Sequence, residues 1–364
     1  MFEFLQKLPN KWKIGIIVVL VVFLVLMISL FTKSEPTGNP VDVNLENQQE
    51  DEDVEDIEEV EQEPENIEPK EPKYRAPLTY KGIDYEINKR PYAIFVENSP
   101  QARPQSGLDK ADIVYEVLAE GGITRFVGIY QSQKPETIGP IRSAREYMLD
   151  IAGDYDAVIV HAGGSPGAMN RIQKEQLPTL SEIINGAYFK RESFRKAPHN
   201  VYSNIDLLDQ GAKARGFRET YTLPKLTFVL DDIEARGEER SEVVIPYTSG
   251  YQVKYIYDEH TNQYHRFINN MPHNDLTTGQ QLRTKNLFIA YARHNVLDSV
   301  GRLAINIQAN GKGYALQQGK VQEVTWRYDQ GLMRFYVGGQ EIPYYPGNTW
   351  IQVVPDVVSV SLQE

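Results

Sequence analysis

The chain has 364 residues, long enough for two folded domains and a sizeable core. It has no cysteine, which excludes disulfides, thiolate metal sites, a cysteine nucleophile and lipidation at a cysteine. The net charge is −12, and residues 1–73 carry 17 acidic and 6 basic side chains; the remainder, with 33 acidic and 32 basic, is balanced and gives nucleic-acid binding no support.

Residues 1–13 contain Lys7, Lys11 and Lys13 and read as a short cytoplasmic tail. Residues 14–31 carry no charge. As a helix they reach roughly 27 Å, close to the hydrocarbon thickness of a bilayer. A cleaved signal peptide competes with this reading, but its apolar region is about 7–15 residues long and ends in small residues. Here the run is longer and ends Leu30-Phe31-Thr32-Lys33, so an uncleaved transmembrane helix is expected. Lysines before the span and acidic residues after it leave the N-terminus in the cytoplasm and the rest outside the cell. Residues 32–76 are rich in Glu, Asp, Pro, Asn and Gln and predict a disordered acidic linker.

Residues 77–232 form the first folded region. YAIFVEN, from Tyr92, is a buried strand, and SPQARPQSGLDKAD is a loop. IVYEVLAEGG and TRFVGIYQS are strands joined by a hairpin at Gly121-Gly122. Ser143 is placed to cap a helix over residues 144–153. DAVIVHAGG lacks polar alternation, as in a sheet covered on both faces. Pro166 opens the next helix, Ser203 is placed to cap IDLLDQGAKAR, and Gly216 to end it. Strand, helix, strand, helix is a βαβ order, so this region is expected to be α/β.

Backbone amides at a helix start are unpaired and carry partial positive charge. A turn of Gly163, Gly164 and Ser165 after a strand lets an anion approach them. Arg103, Arg125, Arg142 and Arg145 lie in loops or at element ends, and their forked donors suit carboxylate or phosphate. The expected ligand site is these arginines with Gln105, Glu120, Ser143, His161 and the 163–165 turn. The competing reading pairs the arginines with Glu116 and Glu120 in a network that binds nothing. Lys190, Arg191, Arg195 and Lys196 alternate with aromatics as a solvated loop or a contact for an anionic polymer.

Residues 241–364 read as short strands split by Gly-Lys-Gly, Gln-Gly-Lys, Gly-Gly-Gln and Pro-Gly-Asn turns, a mainly antiparallel β domain. Its aromatics are core and strand pairs, with a sugar-stacking face as the alternative. His273 and Asp275 offer two metal ligands without a third, so no metal site is expected. No cofactor is expected either.

ENSPQARPQSGLDKADIVYEVLAEGGITRF, IGPIRSAREY, HAGGSP, KAPHN, HND and PGNTWIQVVP together resemble the YerB-like family of exported bacterial proteins, a domain of unknown function with N- and C-terminal parts. The resemblance covers nearly all of residues 77–356. It implies a surface-exposed protein, often lipid-anchored, with an α/β part and a β-rich part, and it carries over no catalytic residue. This chain lacks the lipidated cysteine and has the apolar span in its place.

The expected fold is thus an α/β N-terminal ectodomain plus a mainly antiparallel β C-terminal domain, after one transmembrane helix and an acidic linker. The expected function is non-catalytic binding of an anionic cell-wall component or small anion. One alternative is an envelope hydrolase or transferase acting on peptidoglycan or a related glycopolymer, with Glu120, His161 or Asp275 as acid–base groups. The other is a scaffold for envelope proteins that build the wall.

Overall fold

The computed structural model describes residues 71–363. The expected span at 14–31 and most of the 32–76 linker lie outside the described residues. Among the described residues no helix is long and apolar enough to cross a membrane. Order begins before residue 77, because Tyr74–Arg75 pairs antiparallel with Gly82–Ile83 and Ala76 is fully buried.

All six residues of β1 (Tyr92–Glu97) are buried. Ala93 and Phe95 enter one core, while Tyr92, Ile94 and Val96 enter the other. Successive side chains on a strand point to opposite faces, so a strand covered on both sides loses its polar alternation. β2 (Ile113–Leu118) and β3 (Thr124–Tyr130) form the expected hairpin, with Gly121 and Gly122 both in the left-handed region at its turn. After β3 come α1 (Glu146–Asp154), β4 (Val158–His161), α2 (Pro166–Lys174) and β5 (Thr179–Ser181). β4 lies parallel to both β1 and β5, so the βαβ reading of this stretch holds. α3 (Ile205–Ala214) follows, and Gly216, at a φ of 66°, ends it.

Two expected caps are displaced. Residues 142–145 run extended beside 162–165, so Ser143 gives its hydroxyl to the carbonyl of Ala162 at 3.0 Å and α1 starts only at Glu146. Asn204, not Ser203, caps α3 by accepting from the Leu207 amide at 2.9 Å.

In the second half, β6 (Glu242–Thr248), β7 (Tyr251–Asp258) and β8 (Gln263–Ile268) build the centre of a six-stranded sheet. β9 (Asn286–Ala292), β10 (Asn310–Gln317), β11 (Lys320–Asp329) and β12 (Leu332–Val337) form an antiparallel meander. Gly311 and Gly313 sit inside β10 rather than in a turn. A Cβ on Gly313 would stand 2.0 Å from the Ile289 carbonyl, so these glycines serve close strand approach.

β13 (Thr349–Pro355) alters the expected architecture. It inserts parallel between β9 and β2. One sheet of 12 strands therefore runs β12-β11-β10-β9-β13-β2-β3-β1-β4-β5, with Gln340–Glu341 outside β12 and Glu238–Glu239 on β11. The fold is mostly β with few helices, and the two sequence regions share this sheet. α1 packs on one face; α3 and the six-stranded sheet pack on the other.

Between the two sheets lies a fully buried ion pair. Arg266 of β8 meets Glu116 of β2 at 2.8 Å, both side chains being 0% exposed. The guanidinium also donates to the hydroxyls of Tyr255 and Tyr251 and, at 3.0 Å, to Nδ1 of His273. Its plane lies 4.7 Å from the Trp350 ring. Burial and the Arg266 charge hold the His273 imidazole well below its ordinary pKa, so it is neutral and can accept this bond.

Arg266→Met should cost about 3–5 kcal/mol in denaturant unfolding, because Glu116 is left as an unpaired buried charge. The double replacement Arg266→Met with Glu116→Gln should recover part of that loss; equal losses in the single and double variants would show that packing, not charge, sets the cost. A second prediction concerns Asp154 at the end of α1. Burial pushes its carboxyl up to about 7, against a 2.7 Å hydrogen bond from Tyr328 that favours ionisation. An unfolded Asp titrates near about 3.9. Between these values the folded chain keeps a proton that the unfolded chain has lost, so stability falls as pH rises through the window and then levels. Asp154→Asn should flatten this slope in a pH series of thermal melts and raise Tm at pH of about 8.

Candidate functional site

β1, β2, β4, β5, β9 and β13 all point the same way, because every pair among them is parallel or separated by β3. Their carboxyl ends therefore share one edge of the sheet. Ligands of open α/β sheets bind at that edge. Glu97, Glu120, His161 and the start of β3 at Arg125 all lie there.

The four arginines reach this rim but divide among partners. Arg145 forms a bidentate pair with Glu120, and Arg125 lies 3.6 Å from the same carboxylate. Arg125 also donates to the Ser143 carbonyl at 3.0 Å. Burial and the neighbouring Arg145 charge push the Arg125 pKa down to about 10, and Arg142 contributes in the same direction. Arg103 donates to Asn98 through both its side-chain oxygen and its carbonyl, at 2.9 and 2.7 Å, and stacks on Tyr251. Gln105 is buried; it bonds the Glu97 carbonyl, the Asn98 side chain and Nε2 of His273. It thus ties the rim to the Arg266–Glu116 pair rather than facing solvent. Arg142 differs: its Nε lies 3.2 Å from Glu97, and its two terminal nitrogens have no partner among the described residues.

The 163–165 turn is spoken for. Gly163, at a φ of 70°, accepts from the Ala144 amide at 2.9 Å through its carbonyl, and Gly164 is bridged to Ala144. Ser165 caps α2 and donates to Glu146 Oε2 at 2.7 Å. The other oxygen of Glu146 lies 1.7 Å from where a Gly167 Cβ would stand. The chain's own carboxylate occupies the helix start where an anion was expected. His161 is fully buried, its Nδ1 against the Gly163 carbonyl at 2.7 Å, and burial lowers its pKa.

The rim gains two residues, Glu97 and His199, that lie outside the expected ligand set. Glu97 ends β1 with its side chain 2% exposed. Both its oxygens stand 3.0 Å from Nδ1 of His199, and Ser99 donates to Oε1 at 2.9 Å. Glu97 and His199 are 102 residues apart, so no local spacing could reveal them. His199 sits in the basic loop, which Arg195 pins by donating to the carbonyls of Gln101 and Pro104. Arg191 pairs with Glu182, and Lys190 and Lys196 are exposed.

The acid–base groups expected for a hydrolase are engaged elsewhere. Glu120 lies under two guanidiniums, and its pKa is lowered: burial opposes ionisation but the Arg145 bonds outweigh it. Asp275 is buried and accepts the amides of Leu108, Thr277 and Thr278. Among the described residues no three His, Cys, Asp or Glu side chains group to hold a metal. Apart from the rim, a cleft of 870 Å³ on the meander is lined by Tyr291, Tyr314 and Tyr336 with Lys312 and Glu323.

Comparison with known proteins agrees with this architecture. Residues 78–218 match the model described as "Protein of unknown function (DUF3048) N-terminal domain", and residues 243–351 match its C-terminal counterpart. A Bacillus subtilis (strain 168) protein, "Putative lipoprotein YerB", is 38% identical over 296 residues, 80% of this chain and 89% of that one. A crystal structure of the Bacillus subtilis YerB protein superposes with a TM-score of 0.73, covering 79% of this chain and all of that one. Matched in both its parts and over most of its length, this chain belongs to the YerB-like family of proteins of unknown function.

Proposed function

We propose that this chain is a membrane-anchored, extracytoplasmic protein of the cell envelope that binds anionic groups at the carboxyl edge of its large sheet. The relative named as a lipoprotein supports the envelope setting. The uncharged run at 14–31, with lysines before it and acidic residues after it, supports a single span with the folded part outside.

Arg142 carries the binding reading. Its side chain is 25% exposed, its Nε lies 3.2 Å from Glu97 Oε1 as an ion pair, and its terminal nitrogens are free among the described residues. A guanidinium that faces a carboxylate with one edge presents the remaining fork to solvent, which suits a planar or tetrahedral oxyanion. Arg125 and Arg145 act behind it. They hold Glu120, and with it the loop after β2, so their part is to shape the rim and set its positive potential. Lys196, exposed in the loop that carries His199, adds to the positive charge there, which fits a polymer with repeated negative charge.

Arg142→Ala in the full-length protein in detergent should weaken binding of a synthetic glycerol-phosphate oligomer about 10- to 100-fold by calorimetry, the loss of one charge-assisted fork. The variant should keep its thermal melt. Unchanged affinity would remove Arg142 from the function.

A further inference from the structure

We propose that this rim also cleaves phosphodiesters, with His199 as general base, Glu97 as its positioning residue and Arg142 as the clamp on the phosphate oxygens. The inference rests on the anion-binding reading and adds a reaction to it.

An ionised carboxylate only accepts hydrogen bonds. With both Glu97 oxygens 3.0 Å from Nδ1 of His199, the imidazole proton sits on Nδ1. Nε2 then carries the lone pair. It has no partner among the described residues, and the side chain is 21% exposed, so Nε2 faces open space at the rim. This is the relation of base to orienting acid that proton-transfer sites use. The base is also held still. The His199 amide donates to the Lys196 carbonyl at 3.0 Å, and Arg195 ties the loop to residues 101–104. Ser99 is not the nucleophile, because its hydroxyl donates to Glu97.

The substrate class follows from where the clamp sits. Arg142 Nε and His199 Nδ1 lie 3.2 and 3.0 Å from the same oxygen of Glu97, which sets the two side chains next to each other at the rim. A carboxylate held there is inert to attack. A phosphodiester carries its charge and its electrophile on one phosphorus. Water attacks phosphorus while its proton passes to Nε2, and Arg142 balances charge on the non-bridging oxygens. The bond to one alcohol oxygen breaks, that alkoxide takes a proton from solvent, and His199 returns its proton to solvent. The products are one phosphomonoester and one alcohol.

The test uses full-length protein in detergent with the glycerol-phosphate oligomer. Phosphorus NMR should show new phosphomonoester ends, and bis(para-nitrophenyl) phosphate should release nitrophenolate. His199→Gln should lower kcat by about 100- to 10,000-fold with oligomer affinity unchanged. Free imidazole should restore turnover to His199→Gly, a rescue that no structural role predicts. Glu97→Gln should lower kcat and, because Glu97 also faces Arg142, change oligomer affinity as well. Oligomer bound with no phosphomonoester ends formed, or turnover kept in His199→Gln, would overturn the catalytic proposal and leave the binding reading standing. Failure of the unmodified protein to bind the oligomer would remove both.

Discussion

The Arg266–Glu116 pair is the constraint on which the rest of the structure rests. Two charges in a space without solvent are tolerable only when each remaining donor and acceptor is satisfied. The guanidinium therefore dictates what surrounds it: Tyr255, Tyr251, His273 and the Trp350 ring, drawn from β7, the loop after β8 and β13. Glu116 dictates Thr124 in turn, which donates to it at 2.6 Å and accepts from Asn98 at 2.7 Å. Such a network fits one arrangement of the two sheets. Apolar residues alone would let them slide.

The same network reaches the surface. Asn98 takes part in it and is also the anchor of Arg103, while Gln105 joins His273 to the carbonyl of Glu97. The backbone that places the Glu97 carboxylate is thus fixed from below by the buried pair and from the side by β3. A site at the end of a strand inherits the precision of the sheet. Here the strand end and the loop carrying His199 meet at one carboxylate, so the rim is defined by the fold and not by loop flexibility.

Much of this was legible in the residues, and the failures share a cause. β1, the β2–β3 hairpin, the βαβ order, Pro166 and Gly216 follow from local pattern, because each depends on neighbours within a few residues. Ser143 and Ser203 have the right side chain for a cap and lost that role to strand pairing of 142–145 and to Asn204. Gly311 and Gly313 look like turn residues, yet the demand on them comes from the Ile289 carbonyl and Trp326 of other strands. β13 reads as one more antiparallel strand and is parallel, joining the two sequence regions, because both its partners lie more than fifty residues earlier in the chain. The rim arginines were visible as a group. Which of them keeps free terminal donors was not, since that depends on Glu97 and Glu120 arriving from separate strands.

Charge count decides what the rim can do. Arg125, Arg142 and Arg145 face two carboxylates, Glu97 and Glu120, so these two leave one of the three positive charges unmatched. Arg125 and Arg145 are held tightly against Glu120 with little exposure, whereas Arg142 shares Glu97 with His199 and remains at the surface. The excess therefore appears at Arg142. Glu146, rather than a guest anion, fills the start of α2. With that position closed, a guest anion is left with the corner where Arg142 and His199 stand together over a single buried carboxylate.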